Sequence, residues 1–390
     1  MAGVLLRGLL TAISVVILIP VGIVVLGGYF PGLPSVGPFA SLINSSLPWL
    51  LAAAAVATGL SGLAIVLGGN KASVLFAVAL AALLGSIGIT YRYATVAAAH
   101  GASYDLIRAI DGTPPIPAPD QQLVFATVDG ADLRADLWLP PGVSASSAGS
   151  LPAVVYVHGG AFIFGTVGTR PLLMGAIRDA GIVAIDVNYR LSPPPRWDQA
   201  PADVLCALSW LKTAPELAVV DLAKVVVVGE SAGGSLALVA GFAAGTDAIG
   251  SSCAHLDPPV VPAGVVALAP AADLAGIWED ATIFGYDGRR FPEAYIGGSP
   301  AEYPDRYAAA SPFQMLRADL PPTLIVAAEA DRMVLLSRVT SIAEQIRAAG
   351  SQCEVIVAPF TGHGFDGEPN SFGNQLTEAV VVDFVARVTS

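Results

Sequence analysis

The chain has 390 residues, of which 54% are hydrophobic and 13% are charged, and its formal net charge is −12 at pH 7. Soluble domains carry about 25% charged residues, so part of this chain is too apolar for water. The negative net charge repels phosphates and therefore argues against a nucleic-acid partner.

Three uncharged apolar runs lie near the N-terminus, at residues 8–30, 49–69 and 72–91. At about 1.5 Å per residue, each is long enough to cross a hydrocarbon core about 30 Å thick. The sequence therefore predicts an all-α membrane region, residues 1–93, with three transmembrane helices. A cleaved signal peptide is an alternative for the first run, and burial inside a soluble protein is an alternative for all three. Runs of this length and number favour the transmembrane interpretation.

Charge distribution predicts the orientation of these helices. Arg7 and Lys71 are the only charged residues before Arg92. Because basic residues favour the cytoplasmic side, three crossings would place the rest of the chain on the extracytoplasmic side, although Arg92 and Arg108 oppose this slightly. The alanine-rich, lysine-poor composition suggests a bacterial cell membrane.

A linker is predicted at residues 94–120. Its first part, residues 94–110, has the composition of a short helix that could lie along the membrane surface. The second part, residues 111–120, contains four prolines, which cannot continue a helix and favour an extended spacer. We place the start of a separate domain, residues 121–390, after this spacer.

The domain begins with two alternating stretches around Asp129-Gly130, a pair typical of a β-hairpin turn. Short β-branched runs then alternate with helical stretches; the runs occupy residues 153–157, 182–187, 224–229, 264–270, 323–329 and 353–359. Apolar strands separated by helices predict an α/β fold, with a mostly parallel sheet flanked by helices.

A possible nucleophile follows the third of these runs. The sequence Gly229-Glu230-Ser231-Ala232-Gly233 matches the G-x-S-x-G nucleophile elbow, a sharp turn that exposes a serine between a strand and a helix. Here the motif directly follows a predicted strand and opens an Ala/Leu-rich helical stretch. This context favours Ser231 as a nucleophile over a structural turn.

A glycine-rich loop, residues 158–162 (HGGAF), follows the strand at 153–157. In hydrolases with this elbow, backbone N–H groups of such a loop, and that of the residue after the serine, bind the developing oxyanion. In this chain the residue after the serine is Ala232. Small residues are needed because the backbone itself must approach the substrate.

A serine nucleophile also needs a general base. Of the four histidines, His100 precedes the domain, His158 belongs to the glycine-rich loop and His255 precedes the expected acid. His363 follows the last predicted strand, where the order Ser, Asp/Glu, His requires the base.

An acidic residue is expected to orient that base. Asp331 lies just past the strand at 323–329, at the strand end where active sites assemble in α/β sheets. Glu329 is the rival for this role, and Asp366 is a more distant candidate.

Cysteines and histidines give no sign of a metal or a disulfide framework. Cys206 fits an apolar helix core, whereas Cys253 and Cys353 could pair outside the cytosol. No metal site and no cofactor are predicted.

Together these motifs resemble the hormone-sensitive-lipase-like branch of the α/β-hydrolases, which includes arylacetamide deacetylase and many bacterial carboxylesterases. The resemblance covers roughly residues 121–390 and rests on residues 158–162, 188–193, 229–234, 311–312, 331 and 362–365. It implies an α/β-hydrolase fold and a Ser231, Asp331, His363 triad.

The resemblance also implies oxyanion-hole donors from Gly160, Ala161 and Ala232. Ala161 replaces a glycine that is frequent in the family, but its backbone N–H remains. A further departure is the membrane region, which stands where soluble members form part of a cap over the pocket. We expect the other part of the cap at residues 275–311.

The sequence thus predicts a membrane-anchored serine carboxylesterase or lipase that hydrolyses small acyl esters or lipids, taking acyl substrates from the bilayer. Two alternatives remain: an amide or N-acyl hydrolase, because the same residues cleave amides, and a non-catalytic binding protein with the hydrolase fold. The oligomeric state is not predicted.

Overall fold

The computed structural model describes residues 2–69, 72–110, 114–143, 150–280 and 288–390. They form two compact units, each built from non-contiguous segments. The first unit comprises Met1–Pro114, Ala328–Asp331 and Ala358–Leu376. The second comprises Pro115–Ala327, Arg332–Val357 and Thr377–Ser390. These units do not follow the predicted boundaries at residues 93 and 120, so the division into consecutive domains stays a prediction.

Three long apolar helices dominate the first unit, as predicted. They are α1 (Ala2–Tyr29), α2 (Ile43–Val66) and α3 (Ala72–Ala99), with a 3-10 helix (Gly37–Leu42) before α2. All three are long and apolar enough to cross a membrane. Small side chains such as Ala54 and Ala57 are fully buried between them, whereas Val16 and Val74 on their outer faces are exposed. Small residues at helix contacts and branched apolar residues outside are typical of membrane bundles.

The segment predicted as a separate helix, residues 94–110, differs from that expectation. Its first residues continue α3 to Ala99, because the alanines there are strong helix formers. Gly101, with a positive φ of 70°, follows the helix end, and only turns are found from there to residue 110.

The second unit is built around an eight-stranded sheet. In chain order its strands are β1 (Gln121–Val128), β2 (Ala131–Trp138), β3 (Leu151–Val157), β4 (Val183–Val187), β5 (Val220–Glu230), β6 (Gly264–Leu268), β7 (Thr323–Ala328) and β8 (Cys353–Ala358). Their spatial order is β1-β2-β4-β3-β5-β6-β7-β8. β2 is antiparallel to β1 and β4, whereas β4, β3, β5, β6 and β7 are parallel. The predicted α/β fold is confirmed.

Strand composition explains this arrangement. The strands β3 to β7 are rich in Val, Ile and Ala, and the central residues of these strands are fully buried because helices cover both faces of the sheet. The hairpin between β1 and β2 turns at Asp129 and Gly130, which both have positive φ (52° and 77°). Asp and Gly tolerate this conformation, as the sequence indicated.

Eight further α-helices lie after α3 in the part of the chain that the structure describes, most of them between the strands. They are α4 (Pro171–Asp179), α5 (Gln199–Trp210), α6 (Ala232–Ala243), α7 (Leu274–Asp280), α8 (Arg290–Ile296), α9 (Pro304–Ala309), α10 (Leu336–Ala348) and α11 (Phe372–Val388). The predicted cap segment, residues 275–311, contains most of α7 and all of α8 and α9. Its middle, residues 281–287, lies outside the described residues.

The structure decides the cysteine pairing that the sequence left open. Cys253 forms a disulfide with Cys206, not with Cys353, which is a free thiol. Helix α5 carries Cys206 against the turn that contains Cys253, a packing contact between segments that local sequence does not reveal. Both residues of the disulfide are buried in the core of the second unit.

Candidate active site

Ser231 occupies the sharp turn between β5 and α6. Its backbone has φ 54° and ψ −116°, a conformation that costs a residue with a side chain about 1–3 kcal/mol. Backbone hydrogen bonds hold it there: its N–H donates to the carbonyl of Leu268 (2.8 Å), and its carbonyl accepts from Ala271 (3.0 Å) and Ser235 (3.0 Å). Such strain, held by neighbouring strands, is characteristic of functional sites.

The glycines on either side of this turn are required by close backbone packing. A Cβ on Gly229 would collide with the carbonyl oxygen of Gly233, and a Cβ on Gly233 would collide with the carbonyls of Val157 and His158. The start of α6 therefore packs directly against the loop that follows β3. The glycine spacing of the motif follows from these contacts.

That loop, residues 158–162, has an unusual backbone. Gly160, Ala161 and Phe162 all have positive φ (120°, 54° and 66°). The carbonyl of Gly160 accepts N–H groups from Ile163 (3.0 Å) and Phe164 (2.9 Å), so the loop is a tight turn. A Cβ at Gly160 would collide with the carbonyl of Phe164, which explains why glycine stands there.

The side chain of His158 is buried and packs beneath the loop. Its ring stacks on Tyr189 with centroids 4.5 Å apart, and its Nδ1 lies 2.7 Å from the carbonyl oxygen of Gly159. Burial lowers the pKa of His158 below its ordinary value, so this imidazole is neutral at pH 7. The ring orders the loop backbone.

An ion pair lies beside Ser231, and no local pattern in the sequence predicts it. Arg170 lies 2.8 Å from the carboxylate of Glu230, the residue before Ser231. A Cβ on Gly159 would approach that same carboxylate at 3.0 Å, so Glu230 also contacts the glycine-rich loop. The side chain thus links the elbow to the loop.

The structure brings Asp331 and His363 together in the first unit. The Nδ1 atom of His363 lies 2.7 Å from Oδ2 of Asp331, a hydrogen-bond distance. The Asp331 side chain is almost fully buried, whereas 17% of the His363 side chain is exposed. An Nδ1–H that donates to a carboxylate fixes the tautomer in which Nε2 carries the lone pair and can accept a proton.

The rival acid, Glu329, has other partners. One of its carboxylate oxygens contacts Arg92 at 2.7 Å, and the other accepts the backbone N–H of Phe360 at 3.0 Å. The histidine at 255 is exposed in a turn. Ser231, Gly160, Ala161 and Ala232 lie in the second unit.

Comparison with known proteins identifies the family. Residues 154–367, more than half of the chain, match the α/β-hydrolase fold family. The chain belongs to this family. The matched region runs from the strand before the glycine-rich loop to just beyond His363, so it contains the candidate residues Ser231, Asp331 and His363.

Several curated relatives of this chain are esterases. It is 37% identical to the ethyl acetate hydrolase of Pseudomonas putida over 118 residues, 30% of the chain and 36% of the relative. It is 27% identical to the esterase LipC of Mycobacterium tuberculosis over 221 residues, 55% of the chain and 53% of the relative. The chain thus spans between about a third and two thirds of the length of four of the curated relatives it matches.

Solved structures show the same fold. The apo form of Thermogutta terrifontis esterase 2 is 25% identical, with a TM-score of 0.57, over 70% of this chain and 96% of the esterase. The propionate-bound form is 24% identical with a TM-score of 0.56 over the same shares.

Proposed function

We propose that this chain is a membrane-anchored serine carboxylesterase. The observation that carries the proposal is the strained left-handed backbone of Ser231 at a strand–helix turn packed against a glycine-rich loop. The hydrogen-bonded pair of Asp331 and His363 supports it, because a serine hydroxyl needs a base and the base needs an orienting carboxylate. The esterase relatives support an ester as the bond cleaved.

In the proposed triad, the Oγ of Ser231 attacks the ester carbonyl while Nε2 of His363 takes the hydroxyl proton. The parallel strands β5 and β7 end at the same edge of the sheet; Ser231 follows β5 and Asp331 follows β7, which supports grouping these residues. Asp331 accepts the Nδ1–H of His363, fixes the tautomer and stabilises the imidazolium that forms.

The backbone N–H groups of Gly160, Ala161 and Ala232 would bind the oxyanion of the tetrahedral intermediate. Loss of one such donor costs about 2.7–4 kcal/mol of transition-state stabilisation in comparable enzymes. Collapse of the intermediate then expels the alcohol, which receives the proton from His363. Water attacks the acyl-enzyme by the same route, and the carboxylic acid is released.

The three apolar helices support a membrane anchor. The positive-inside rule places Arg7 and Lys71 in the cytoplasm, so we propose an extracytoplasmic catalytic domain. Small acyl esters fit the propionate and butyrate bound to the related Thermogutta esterase, and membrane lipid is the second substrate class of the proposal.

The proposal is tested by labelling the purified full-length chain with a fluorophosphonate probe and by ester hydrolysis. We expect Ser231→Ala to abolish both. Asp331→Asn should lower kcat about 10⁴-fold, because the wrong imidazole tautomer is stabilised. Glu329→Gln is the comparison variant: Glu329 contacts Arg92 and the Phe360 backbone and not the imidazole, so its loss should lower kcat far less than Asp331→Asn does. Labelling that persists in Ser231→Ala would refute the proposal.

A further inference from the structure

One end of the helical bundle contacts the segment that carries His363. This bundle end is formed by the last turn of α1, the first turn of α2 with the 3-10 helix before it, and the last turns of α3. Its contacting residues are Tyr29, Ser41, Asn44, Arg92 and Tyr93. The segment it contacts, residues 358–374, runs from the end of β8 to the start of α11. All these residues belong to the first unit.

Asn44 joins two points of this segment. Its side-chain N–H group donates to the carbonyl of Phe365 (2.7 Å) and to the hydroxyl of Ser371 (3.2 Å). Its side-chain oxygen accepts the backbone N–H of Gly373 (2.8 Å). Asn44 is buried, and loss of buried hydrogen bonds leaves unsatisfied groups that cost about 1–3 kcal/mol each. A polar residue at the start of an apolar helix therefore closes the loop that follows His363.

Aromatic contacts hold both ends of the same segment. The ring of Phe372 stacks on Tyr93 of α3 with centroids 3.8 Å apart and planes 5° apart. Phe360 lies edge-on to Tyr29 of α1 at 5.5 Å and to Tyr93 at 6.2 Å. His363 lies between Phe360 and Phe372 in the chain, so the bundle contacts the segment on each side of the histidine.

The bundle also contacts the loop that carries Asp331. Arg92 of α3 pairs with Glu329 at 2.7 Å, and the second oxygen of Glu329 accepts the N–H of Phe360. The N–H of Ala330 donates to the carbonyl of Thr361 at 2.9 Å. The loops that hold the acid and the base are thus joined to each other and to α3.

The closest contact lies next to the histidine. A Cβ on Gly362 would stand 2.8 Å from the Cβ of Ser41, closer than side chains approach. The next nearest atoms to that Cβ are the Cα of Ser41 at 3.7 Å and its Oγ at 3.9 Å, both at ordinary contact distances. The spacing between bundle and loop therefore depends on one glycine beside His363.

We propose that the end of the helical bundle positions the Asp331–His363 pair, so that the membrane helices are a structural part of the active site as well as an anchor. Asn44 and Ser41 act as positioning residues through the backbone of residues 360–373. The inference rests on the proposed function, because it assigns the general base to His363. A misplacement of about 1 Å, even from a distant change, can cost about 100-fold in rate.

The proposal is tested by enlarging residue 362 and then shrinking residue 41 in the full-length chain. The assay uses detergent micelles and a soluble aryl ester. We expect Gly362→Ala to lower kcat between about 10-fold and 100-fold with KM little changed. Adding Ser41→Gly should restore most of the loss, because it removes the Cβ that the new methyl group meets. Ser45→Gly is the matched control: Ser45 is exposed, its hydroxyl donates to the carbonyl of Leu42, and the change should restore nothing.

A second variant, Asn44→Ala, removes hydrogen bonds to the segment without adding an atom. Asn44→Ala should lower kcat and shift the pH profile of kcat/KM, since both depend on the imidazole geometry, whereas Ser45→Ala should leave both unchanged. A purely structural role would lower the melting temperature of Asn44→Ala but leave kcat and the pH profile at wild-type values. That result, or equal restoration of Gly362→Ala by both serine variants, overturns the proposal.

The same experiment separates this inference from the proposed function. If Ser231→Ala left the rate of ester hydrolysis at the wild-type value, the proposed function would be refuted. If hydrolysis depends on Ser231 but Ser41→Gly does not restore the activity of Gly362→Ala, only the positioning by the bundle is refuted.

Discussion

At the residue scale, Asp186 is a buried carboxyl group on β4. It lies directly opposite Asp136 of β2, and one of its oxygens accepts the N–H of Gly168 at 2.6 Å. Burial raises the pKa of Asp186 to about 8; the nearby Asp136 adds to the rise, whereas the Gly168 hydrogen bond and Arg170 oppose it. The carboxyl group is therefore mostly protonated in the folded chain at neutral pH.

A pH dependence of stability follows from this pKa. A raised folded-state pKa means that the folded chain binds the proton more tightly than the unfolded chain does, so this contribution is present below about pH 4. It is lost as pH rises towards 8, by up to about 1.4 kcal/mol per pH unit. Asp186→Asn removes the titration but keeps an oxygen for Gly168. We expect the variant to gain in melting temperature over wild type between pH 4 and 8; parallel curves would contradict the assignment.

At the element scale, the turn from β5 into α6 is constrained by backbone packing. Gly233 stands in the first turn of α6, against the carbonyls that end β3 and begin the glycine-rich loop. The helix can start close behind Ser231 only because no side chain intervenes. This one contact couples the nucleophile to the loop proposed to bind the oxyanion.

We expect Gly233→Ala to abolish most ester hydrolysis and to lower the melting temperature, because the added methyl group must push α6 away from the loop. The control is Gly250→Ala in the same unit, where a Cβ meets no atom within 4 Å and φ is not positive. Equal activity of the two variants would show that the close packing does not matter for catalysis.

At the scale of the whole molecule, the disulfide and the apolar helices bear on the same question of compartment. Disulfides persist outside the cytosol, where positive-inside orientation would place the second unit. The disulfide closes a loop with a sequence separation of 47 residues, for which a stabilisation of about 2–4 kcal/mol is typical. Burial raises the pKa of the remaining thiol, Cys353, to about 11, so it reacts slowly while the chain is folded.

Thiol counting on membranes tests this arrangement. After denaturation without reductant, a maleimide should modify one cysteine, Cys353, and after reduction it should modify three. Cys206→Ser should free Cys253 and lower the melting temperature, whereas Cys353→Ser should leave the melting temperature near wild type. Three reactive thiols before reduction would place the second unit in a reducing compartment.

Local sequence predicts most of the secondary structure and supplies the candidate residues. The strands of the sheet, the Asp129-Gly130 hairpin and the three long helices each depend on apolar periodicity or turn residues within a few positions. The elbow around Ser231 and the loop at residues 158–162 were recognisable for the same reason. The separate helix predicted at residues 94–110 is not found, because its first alanines continue α3 as far as Ala99 and Gly101 follows the helix end.

Tertiary structure alone decided which side chains meet. Glu329 and Asp331 are two residues apart at one strand end, and only the fold shows that Asp331 contacts the imidazole while Glu329 contacts Arg92. The disulfide between Cys253 and Cys206 likewise depends on which segments the fold brings together. The contact of Asn44 with Phe365 joins residues 321 positions apart. Such pairings arise from the packing of distant segments, and the pattern of neighbouring residues carries no record of them.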